Sequence, residues 1–260
     1  MASEQYGKYY GRDLVPVYNT LSADGKKSVR VTLTHARKMG LLYSVSRVLE
    51  ESSDFDIVEW QKRQVALACM ANPFSGDAQS QQEVENYVSF IAAKADEFRN
   101  ATADRGKDIH KAIERHLKGE AVDRSDPAID LSISAFEDKI GEWDVEDIQS
   151  ERCVGGAKWG CCGQPDVVLK CAGGKVRIVD IKSTDLSKFK SPYTKWLLQL
   201  GAYHLFTEGT DTELWQAVVD RNTGEVRFIR HEGADEWKRA FQHLFEYCCI
   251  VNNYDPRKAA

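Results

Sequence analysis

The sequence predicts an α+β protein, and the order of its elements is the main reason. Between residues 45 and 143, most segments have apolar residues at spacings of three and four, as helices do. Residues 148–230 instead hold short runs rich in valine and isoleucine, joined by glycine-containing turns, with one helical stretch among them. Helices followed by a hairpin-rich sheet with one inserted helix are typical of an α+β domain.

The first half of the chain is predicted to form an arm and helices. Residues 1–28 are polar and end in a turn at 22–27. Helices are expected over these ranges: 45–72, 80–100, about 104–118 and 129–143. The third of them has Thr102 or Asp104 as its N-cap and ends before Gly119.

The second half is predicted to form strands with one helix between two hairpins. Strands are expected over these ranges: 148–154, 165–171, 175–182, 214–220 and 225–230. Ala172-Gly173-Gly174 forms the turn of the first hairpin, and residues 221–224 form that of the second. Helices are expected over 192–207 and from about Ala234 to before Asn252.

The composition is that of an ordinary globular protein. The 260 residues are 42% hydrophobic and carry a net charge of −5. No run of about 18 apolar residues is present, and the chain does not begin like a signal peptide, so we expect no membrane association. Seven cysteines, an odd number and partly adjacent, favour a reducing cytoplasm over a disulfide framework.

The first hairpin brings charged residues together. With a three-residue turn at 172–174, antiparallel pairing places Asp166 opposite Asp180, on one face of the sheet. Lys182, two residues after Asp180, projects from that same face. The Cα atoms of directly opposed residues are about 4.5–5.5 Å apart, and two carboxylates placed there repel each other unless a cation lies between them. A turn of two or four residues would shift this alignment by one residue.

Paired aspartates with a nearby lysine suit phosphodiester hydrolysis. Aspartate oxygens hold Mg²⁺ or Mn²⁺, which polarises a phosphoryl group and lowers the pKa of an attacking water. The lysine ammonium orients that water or stabilises charge in the transition state. The alternative is a surface hairpin on which Asp180 and Lys182 are merely solvated, since Asp-x-Lys is common by chance.

Two helical segments carry further candidates. His110 adjoins an apolar stripe and can reach a metal beside the sheet, or it is a histidine at the edge of the core. Gln199 and Tyr203 share a helical face. They contact phosphate, support the lysine, or are simply polar positions on a partly buried helix.

Charge is distributed unevenly along the chain. Residues 99–119 contain six basic and three acidic residues, a local +3, and residues 182–195 contain four lysines and one aspartate, again +3. Residues 120–151 contain eleven acidic residues against two basic ones, a local −9. Basic stretches beside the hairpin suit a groove that follows phosphates. Aromatic residues among the second group of lysines either stack on bases or pack in the core: Phe189, Tyr193 and Trp196.

Taken in order, these motifs resemble the PD-(D/E)xK nuclease superfamily. The matching residues are Arg105-Gly106-x-x-x-His110, Glu151, Gly163-x-x-Asp166, Asp180-Ile181-Lys182 and Gln199-x-x-x-Tyr203. Within the superfamily the chain is similar to the RecB-like branch, which includes the mitochondrial genome maintenance exonuclease. Residues 35–49 and Trp60 also resemble bacteriophage-encoded exonucleases, so the similarity covers roughly residues 30–254.

The resemblance implies a fold and a set of roles. The fold is a restriction-endonuclease-like core over 99–260, a central mixed sheet flanked by helices, with 1–98 as an N-terminal arm and helical cover. The implied ligands of Mg²⁺ or Mn²⁺ are His110, Asp166, Asp180 and the Ile181 carbonyl. Lys182 is the catalytic lysine, and Glu151 supports the site. The implied substrate-binding residues are Gln199, Tyr203 and Arg105. Lys188 and Lys190, from the basic stretch 182–195, are further substrate-binding candidates.

The implied activity is a metal-dependent DNA exonuclease that acts on single-stranded or end-bearing DNA. Its setting is phage recombination, replication or DNA degradation in the host cytoplasm, with phage recombination or replication proteins as partners. Two alternatives stay open: a structure-specific endonuclease with the same site, and a catalytically inactive DNA-binding or scaffolding protein of the same fold. The intact Asp166, Asp180 and Lys182 argue against the inactive protein.

Overall fold

A mixed β-sheet flanked by helices lies at the centre of the fold in a computed structural model of the chain. The structure describes residues 8–22, 24–52, 55–150, 152–207 and 209–259, and for 55–60 and 98–103 it describes the backbone alone. The α-helices are α1 Leu33–Met39, α2 Val45–Leu49, α3 Phe55–Ala71, α4 Gln81–Leu117, α5 Pro127–Gly141, α6 Thr194–Phe206 and α7 Ala234–Val251. The strands are β1 Tyr9–Tyr10, β2 Asn19–Leu21, β3 Ser28–Arg30, β4 Leu42–Ser44, β5 Val145–Ser150, β6 Val154–Gly156, β7 Cys161–Gly163, β8 Val167–Cys171, β9 Val176–Thr184, β10 Thr212–Asp220 and β11 Val226–His231.

The central sheet has the order β11-β10-β9-β8-β5. β9 and β10 are parallel neighbours joined through α6, whereas the other neighbouring pairs are antiparallel. Parallel neighbours need such a crossover, because a tight turn can only reverse the chain. The predicted α+β class, with a central mixed sheet, is confirmed.

Helices cover both faces of this sheet. On one face, buried side chains of β8, β9 and β10 form a core with helices α6 and α7, in which Ile178, Leu200 and Phe241 are each no more than 1% exposed. On the other face, α5 packs through Phe136, whose ring lies 5.1 Å from that of Phe228. Because both faces are covered, a polar side chain on either face of the sheet needs a specific partner.

The register of the first hairpin agrees with the sequence prediction. Residues 172–174 form the turn, with Gly173 and Gly174 at positive φ, and the Cys171 N–H donates to the Lys175 carbonyl at 2.8 Å. Val167 pairs with Val179, and the ladder continues in that alignment to Lys170 and Val176. The three-residue turn therefore fixes the positions of all side chains on β8 and β9.

The described part of the N-terminal arm, residues 8–22 and 24–28, contains short strands. Tyr9 and Tyr10 are each 3% exposed and begin a second sheet of order β1-β4-β7-β6. The ring of Tyr9 lies 6.1 Å from that of Tyr43, which explains the burial of a tyrosine-rich arm. The same sheet takes up β6, so the single strand expected over 148–154 is wrong and its two ends belong to different sheets.

Two of the helix predictions are also wrong at their boundaries. The segment 45–72 divides into α2 and α3, and the Ser52 hydroxyl donates to the Leu49 carbonyl just after α2, a local bond that competes with helix continuation. Helix α4 runs without a break through Thr102 and Asp104, where an N-cap was expected. Residue-type preferences are a weak guide that the rest of the structure overrides, so these two residues do not start a new helix here. No helix among the described residues is both long and apolar enough to span a membrane.

Contacts along the chain define two compact units. One comprises Met1–Ser52 with Ala112–Ala260, and the other is Ser53–Lys111. The second unit has its own small core, in which Ala68, Ile91 and Ala95 are buried. These bounds differ from the expected division into 1–98 and 99–260, because the N-terminal residues belong to the unit that contains the central sheet.

The buried Glu213 on β10 leads to a prediction about acid stability. Its carboxylate lies 2.7 Å from Arg177 Nε and 3.1 Å from Lys175 Nζ. Burial opposes ionisation of Glu213, but these hydrogen-bonded cations outweigh it and lower its pKa to about 2. A lowered folded-state pKa stabilises the fold above the unfolded value near 4.5, and that stability disappears as the pH falls towards 2.

Glu213→Gln is therefore expected to lower the free energy of unfolding at pH 7 by on the order of 3 kcal/mol. Urea unfolding at pH 7 and at pH 3 measures the effect, and the gap between variant and wild type should narrow at pH 3. Glu225→Gln removes an exposed ion pair with Arg227 and should change stability by less than about 1 kcal/mol. A gap that is the same at both pH values would contradict this account of Glu213.

Candidate active site

A buried ion pair on β9 is the centre of the site. The side chain of Asp180 is 1% exposed and that of Lys182 is 19% exposed. Lys182 Nζ donates to Asp180 Oδ1 at 3.0 Å and lies 2.9 Å from Oδ2. The alternative of a solvated surface hairpin is therefore wrong. Desolvating two charges costs several kcal/mol per ion, so such a pair adds little stability and points to a functional reason for its presence.

A chain of hydrogen bonds connects Lys182 to helix α6. Lys182 Nζ donates to Gln199 Oε1 at 2.9 Å, and Gln199 Nε2 donates to the Tyr203 hydroxyl at 2.9 Å. That hydroxyl donates in turn to the Gln164 carbonyl at 3.2 Å. Gln199 and Tyr203 are four residues apart, so one helical face holds both against the strand. The ammonium of Lys182 is thus fixed between a carboxylate and an amide oxygen.

Asp166 lies just before β8, and its side chain bonds β9. The ladder between β8 and β9 ends at Val167, and Asp166 Oδ2 accepts a hydrogen bond from the Ile181 N–H at 2.6 Å. In this register Pro165 would stand opposite Ile181, and proline has no N–H to donate to the Ile181 carbonyl. The N–H and C=O of one strand residue point to the same side, so this carbonyl is directed towards Asp166.

The oxygen atoms gathered here suit a hard divalent cation. Two aspartates and a backbone carbonyl are the ligand types that Mg²⁺ and Mn²⁺ take. The hydrogen bond from the Ile181 N–H holds the Asp166 carboxylate beside the strand that carries Asp180. Within the described ranges, no group of three or more His, Cys, Asp or Glu side chains is arranged as a metal site. Of the predicted metal ligands at this position, two are the carboxylates of Asp166 and Asp180, and the third oxygen is the backbone carbonyl of Ile181.

A glycine lets Tyr203 approach β7. A Cβ added to Gly163 would lie 2.9 Å from Tyr203 Cε1 and 2.8 Å from Val45 Cγ2. Real Cβ atoms do not approach that closely, so any side chain at this position would displace Tyr203 or Val45. Gly163, part of the motif that ends at Asp166, therefore positions the helix residue that supports Lys182.

The structure leaves the roles of the other predicted site residues untested. Glu151 is outside the described residues. Arg105 and His110 lie on α4 in the unit Ser53–Lys111, so their roles as phosphate and metal contacts stay predictions. Lys188 and Lys190 are exposed on the loop between β9 and α6, where Lys188 pairs with Asp185 at 2.6 Å.

The structure adds polar residues that the sequence did not single out. Gln216 lies beside Asp180 in the parallel register, is fully buried, and accepts a hydrogen bond from His231 Nε2 at 3.2 Å. Burial lowers the pKa of His231, which favours the neutral imidazole. The Gln216 Nε2 has no partner among the described residues and is an N–H donor on the face of Asp180. A glutamine inside an apolar strand was the only sequence signal for this residue.

Tyr10 and Gln164 extend the site towards the second sheet. The Tyr10 hydroxyl lies 3.5 Å from Gln164 Oε1, while the Gln164 backbone carbonyl accepts from Tyr203. Burial raises the pKa of Tyr10 well above its ordinary value, so the hydroxyl stays protonated as a donor. The pairing between β1 and β4 places Tyr10 here, and no local pattern in the sequence indicates that pairing.

Comparison with known proteins gives similarity at a low level. The solved structure of SSO0001 aligns with 51% of this chain at 17% identity and a TM-score of 0.32, and the chain spans 64% of that protein. A protein from Eubacterium rectale named "Putative exonuclease" aligns with 93% of this chain and 88% of its own, at 12% identity and a TM-score of 0.42. No protein-family model and no curated protein matches the chain. The chemical interpretation of the site therefore depends on the geometry of its residues and not on these similarities.

Proposed function

We propose that this protein is a divalent-metal-dependent DNA exonuclease that hydrolyses phosphodiester bonds of single-stranded or end-bearing DNA. The observation that supports the proposal is the buried Asp180–Lys182 pair, held by Gln199 beside the Asp166 carboxylate. The Asp180 carboxylate and the Gln199 amide oxygen offset the cost of desolvating the Lys182 charge. Phosphoryl transfer uses this charge, because negative charge develops on the phosphoryl oxygens in the transition state.

In this proposal each side chain of the site has a role. Asp166, Asp180 and the Ile181 carbonyl hold Mg²⁺ or Mn²⁺, with His110 as a further ligand. When bound, the metal polarises the phosphoryl group and lowers the pKa of the attacking water. Lys182 stabilises the negative charge that develops on the phosphoryl oxygens.

The surrounding residues orient the lysine and contact the substrate. Gln199 and Tyr203 keep the lysine in place, so that little reorganisation is needed as charge develops. Glu151 supports the same site in this proposal. Arg105, Lys188 and Lys190 bind backbone phosphates, in keeping with the local +3 charge of residues 182–195. DNA is the proposed partner, and phage recombination or replication provides the proposed setting.

Comparing the cleavage of linear and circular DNA distinguishes an exonuclease from the alternative functions. The purified protein is incubated with end-labelled linear DNA and with circular DNA, each single- and double-stranded, in Mg²⁺, Mn²⁺ or EDTA. We expect linear substrates to be shortened from an end, circular ones to stay intact, and EDTA to stop the reaction. Cleavage of circles would replace the exonuclease by a structure-specific endonuclease. DNA binding without cleavage in either metal would support the inactive DNA-binding or scaffolding protein.

Loss of the Tyr203 hydroxyl is expected to slow catalysis moderately. Tyr203→Phe keeps the ring but removes the hydrogen bonds to Gln199 and to Gln164, so Gln199 holds Lys182 less firmly. Because a neutral hydrogen bond contributes about 0.5–1.5 kcal/mol, kcat should fall about 2- to 10-fold. Steady-state rates on linear DNA measure this.

A second tyrosine provides the control for this effect. The Tyr254 hydroxyl donates to the Leu41 and Ala36 carbonyls at 2.6 and 3.2 Å, and it takes no part in the hydrogen bonds around Lys182. Tyr254→Phe should lower thermal stability and leave kcat of the folded protein unchanged. Equal losses of kcat in both variants would mean that Tyr203 acts only through stability.

A further inference from the structure

An aromatic cluster follows the catalytic strand directly. It consists of Phe189, Tyr193 and Trp196, in the loop after β9 and the first turn of α6. The rings of Phe189 and Trp196 are stacked at 6.0 Å with an interplanar angle of 23°, and Tyr193 meets Trp196 edge-on at 4.6 Å. Tyr193 is 43% exposed, whereas the other two rings are partly buried. The three rings therefore contact one another and leave the Tyr193 ring exposed to solvent. The alternative that these residues pack in the core does not fit an exposed Tyr193.

The cluster lies next to the proposed reaction centre. Trp196 is three residues before Gln199 on α6, so the two side chains lie on the same helical face about one turn apart. Gln199 in turn bonds Lys182 at 2.9 Å. If the phosphate of one nucleotide contacts Lys182, the adjacent nucleotide of the same strand would therefore lie within reach of the aromatic rings.

The charge around the cluster suits a nucleic-acid strand. Lys188 and Lys190 flank Phe189 and are exposed, and the segment 182–195 carries a local +3. Lysines alone would attract any phosphate backbone, single or double. Aromatic rings add selectivity, because the base faces of a duplex are already stacked on one another whereas those of a single strand are open.

We propose that Phe189, Tyr193 and Trp196 form a stacking site for an unpaired base of single-stranded DNA beside the scissile phosphate. This rests on the proposed nuclease function and gives it a substrate class. Tyr193 stacks on the base, and Phe189 and Trp196 hold the tyrosine ring in place. The neighbouring lysines contact the phosphates on either side.

Binding measured in EDTA tests this site without cleavage. Fluorescence anisotropy gives the Kd of a labelled single-stranded oligonucleotide and of the same backbone carrying abasic sites throughout. Tyr193→Ala should weaken binding of the base-bearing strand about 5- to 100-fold, the range for the loss of one stacked base. Binding of the abasic strand should change less than about twofold, because its phosphates meet the same lysines. Tyr193→Phe should bind like the wild type.

The controls separate stacking from loss of structure. Tyr247 on α7 is 52% exposed, and Tyr247→Ala should leave both Kd values unchanged. The stacking site would be overturned if Tyr193→Ala weakened binding of the base-bearing and abasic strands equally. It would also be overturned if that variant bound both strands with wild-type affinity. Either result leaves the nuclease proposal in place as long as the wild type still degrades linear DNA in Mg²⁺. Failure of the wild type to cleave would instead count against the nuclease proposal.

Discussion

Asp180→Asn and Lys182→Ala should each lower metal-dependent DNA hydrolysis by about 10²- to 10³-fold while the protein stays folded. Asp180→Asn keeps the size of the side chain but removes the negative charge that pairs with Lys182 and that would bind the metal. Lys182→Ala removes the cation that stabilises the transition state, and losing one such group typically costs about 10²- to 10³-fold. Release of labelled nucleotides in Mg²⁺, together with circular dichroism of each variant, measures both effects.

An exposed lysine on the neighbouring strand provides the comparison. Lys170 on β8 is half exposed and pairs with Asp147 at 3.1 Å, so Lys170→Ala removes a similar side chain away from the ion pair. Its activity should stay within about twofold of the wild type, because exposed ion pairs contribute little. Undiminished hydrolysis by both Asp180→Asn and Lys182→Ala would remove the site assignment.

Gly201→Ala should destabilise the protein by at least about 2 kcal/mol and impair catalysis as well. A Cβ at this position would lie 2.3 Å from the Trp237 carbonyl oxygen and 2.8 Å from Lys238 N. These are backbone atoms of α7, so they move only if the whole helix moves. The helix propensity of alanine would return about 1 kcal/mol, which is less than the cost of the overlap. Because α6 also carries Gln199 and Tyr203, its displacement would disturb the support of Lys182.

Another helical glycine tests whether close packing is the cause. A Cβ at Gly141, the last residue of α5, would meet nothing within 4 Å. Gly141→Ala should therefore leave the free energy of unfolding unchanged or raise it by up to about 1 kcal/mol. Urea denaturation of both variants measures the difference. If Gly201→Ala were as stable as Gly141→Ala, the proximity of α6 and α7 would not depend on this glycine.

Much of the site could be anticipated because its determinants are local in sequence. The Ala-Gly-Gly turn sets the register of β8 and β9, and this register brings Asp166 and Asp180 to the same end of the hairpin. Helical spacing likewise places Gln199 and Tyr203 on one face of α6. The α+β class followed from the order of helical and strand-like patterns.

The parts that could not be anticipated depend on residues far apart in sequence. The burial of Tyr10 depends on pairing between β1 and β4, and the position of Gln216 beside Asp180 depends on the parallel pairing of β9 and β10. The continuity of α4 also escaped prediction, since Thr102 and Asp104 have the residue types of a cap without forming one.

The sequence by itself determined the hairpin register, the residues that carry charge on it, and the helical face that supports them. Tertiary structure alone decided that Asp180 is buried, that the Asp166 side chain bonds Ile181, and that α7 packs against Gly201. The physical reason is the range of the interactions. Turn chemistry and periodicity act over a few neighbouring residues, whereas burial and close packing depend on which distant segments meet.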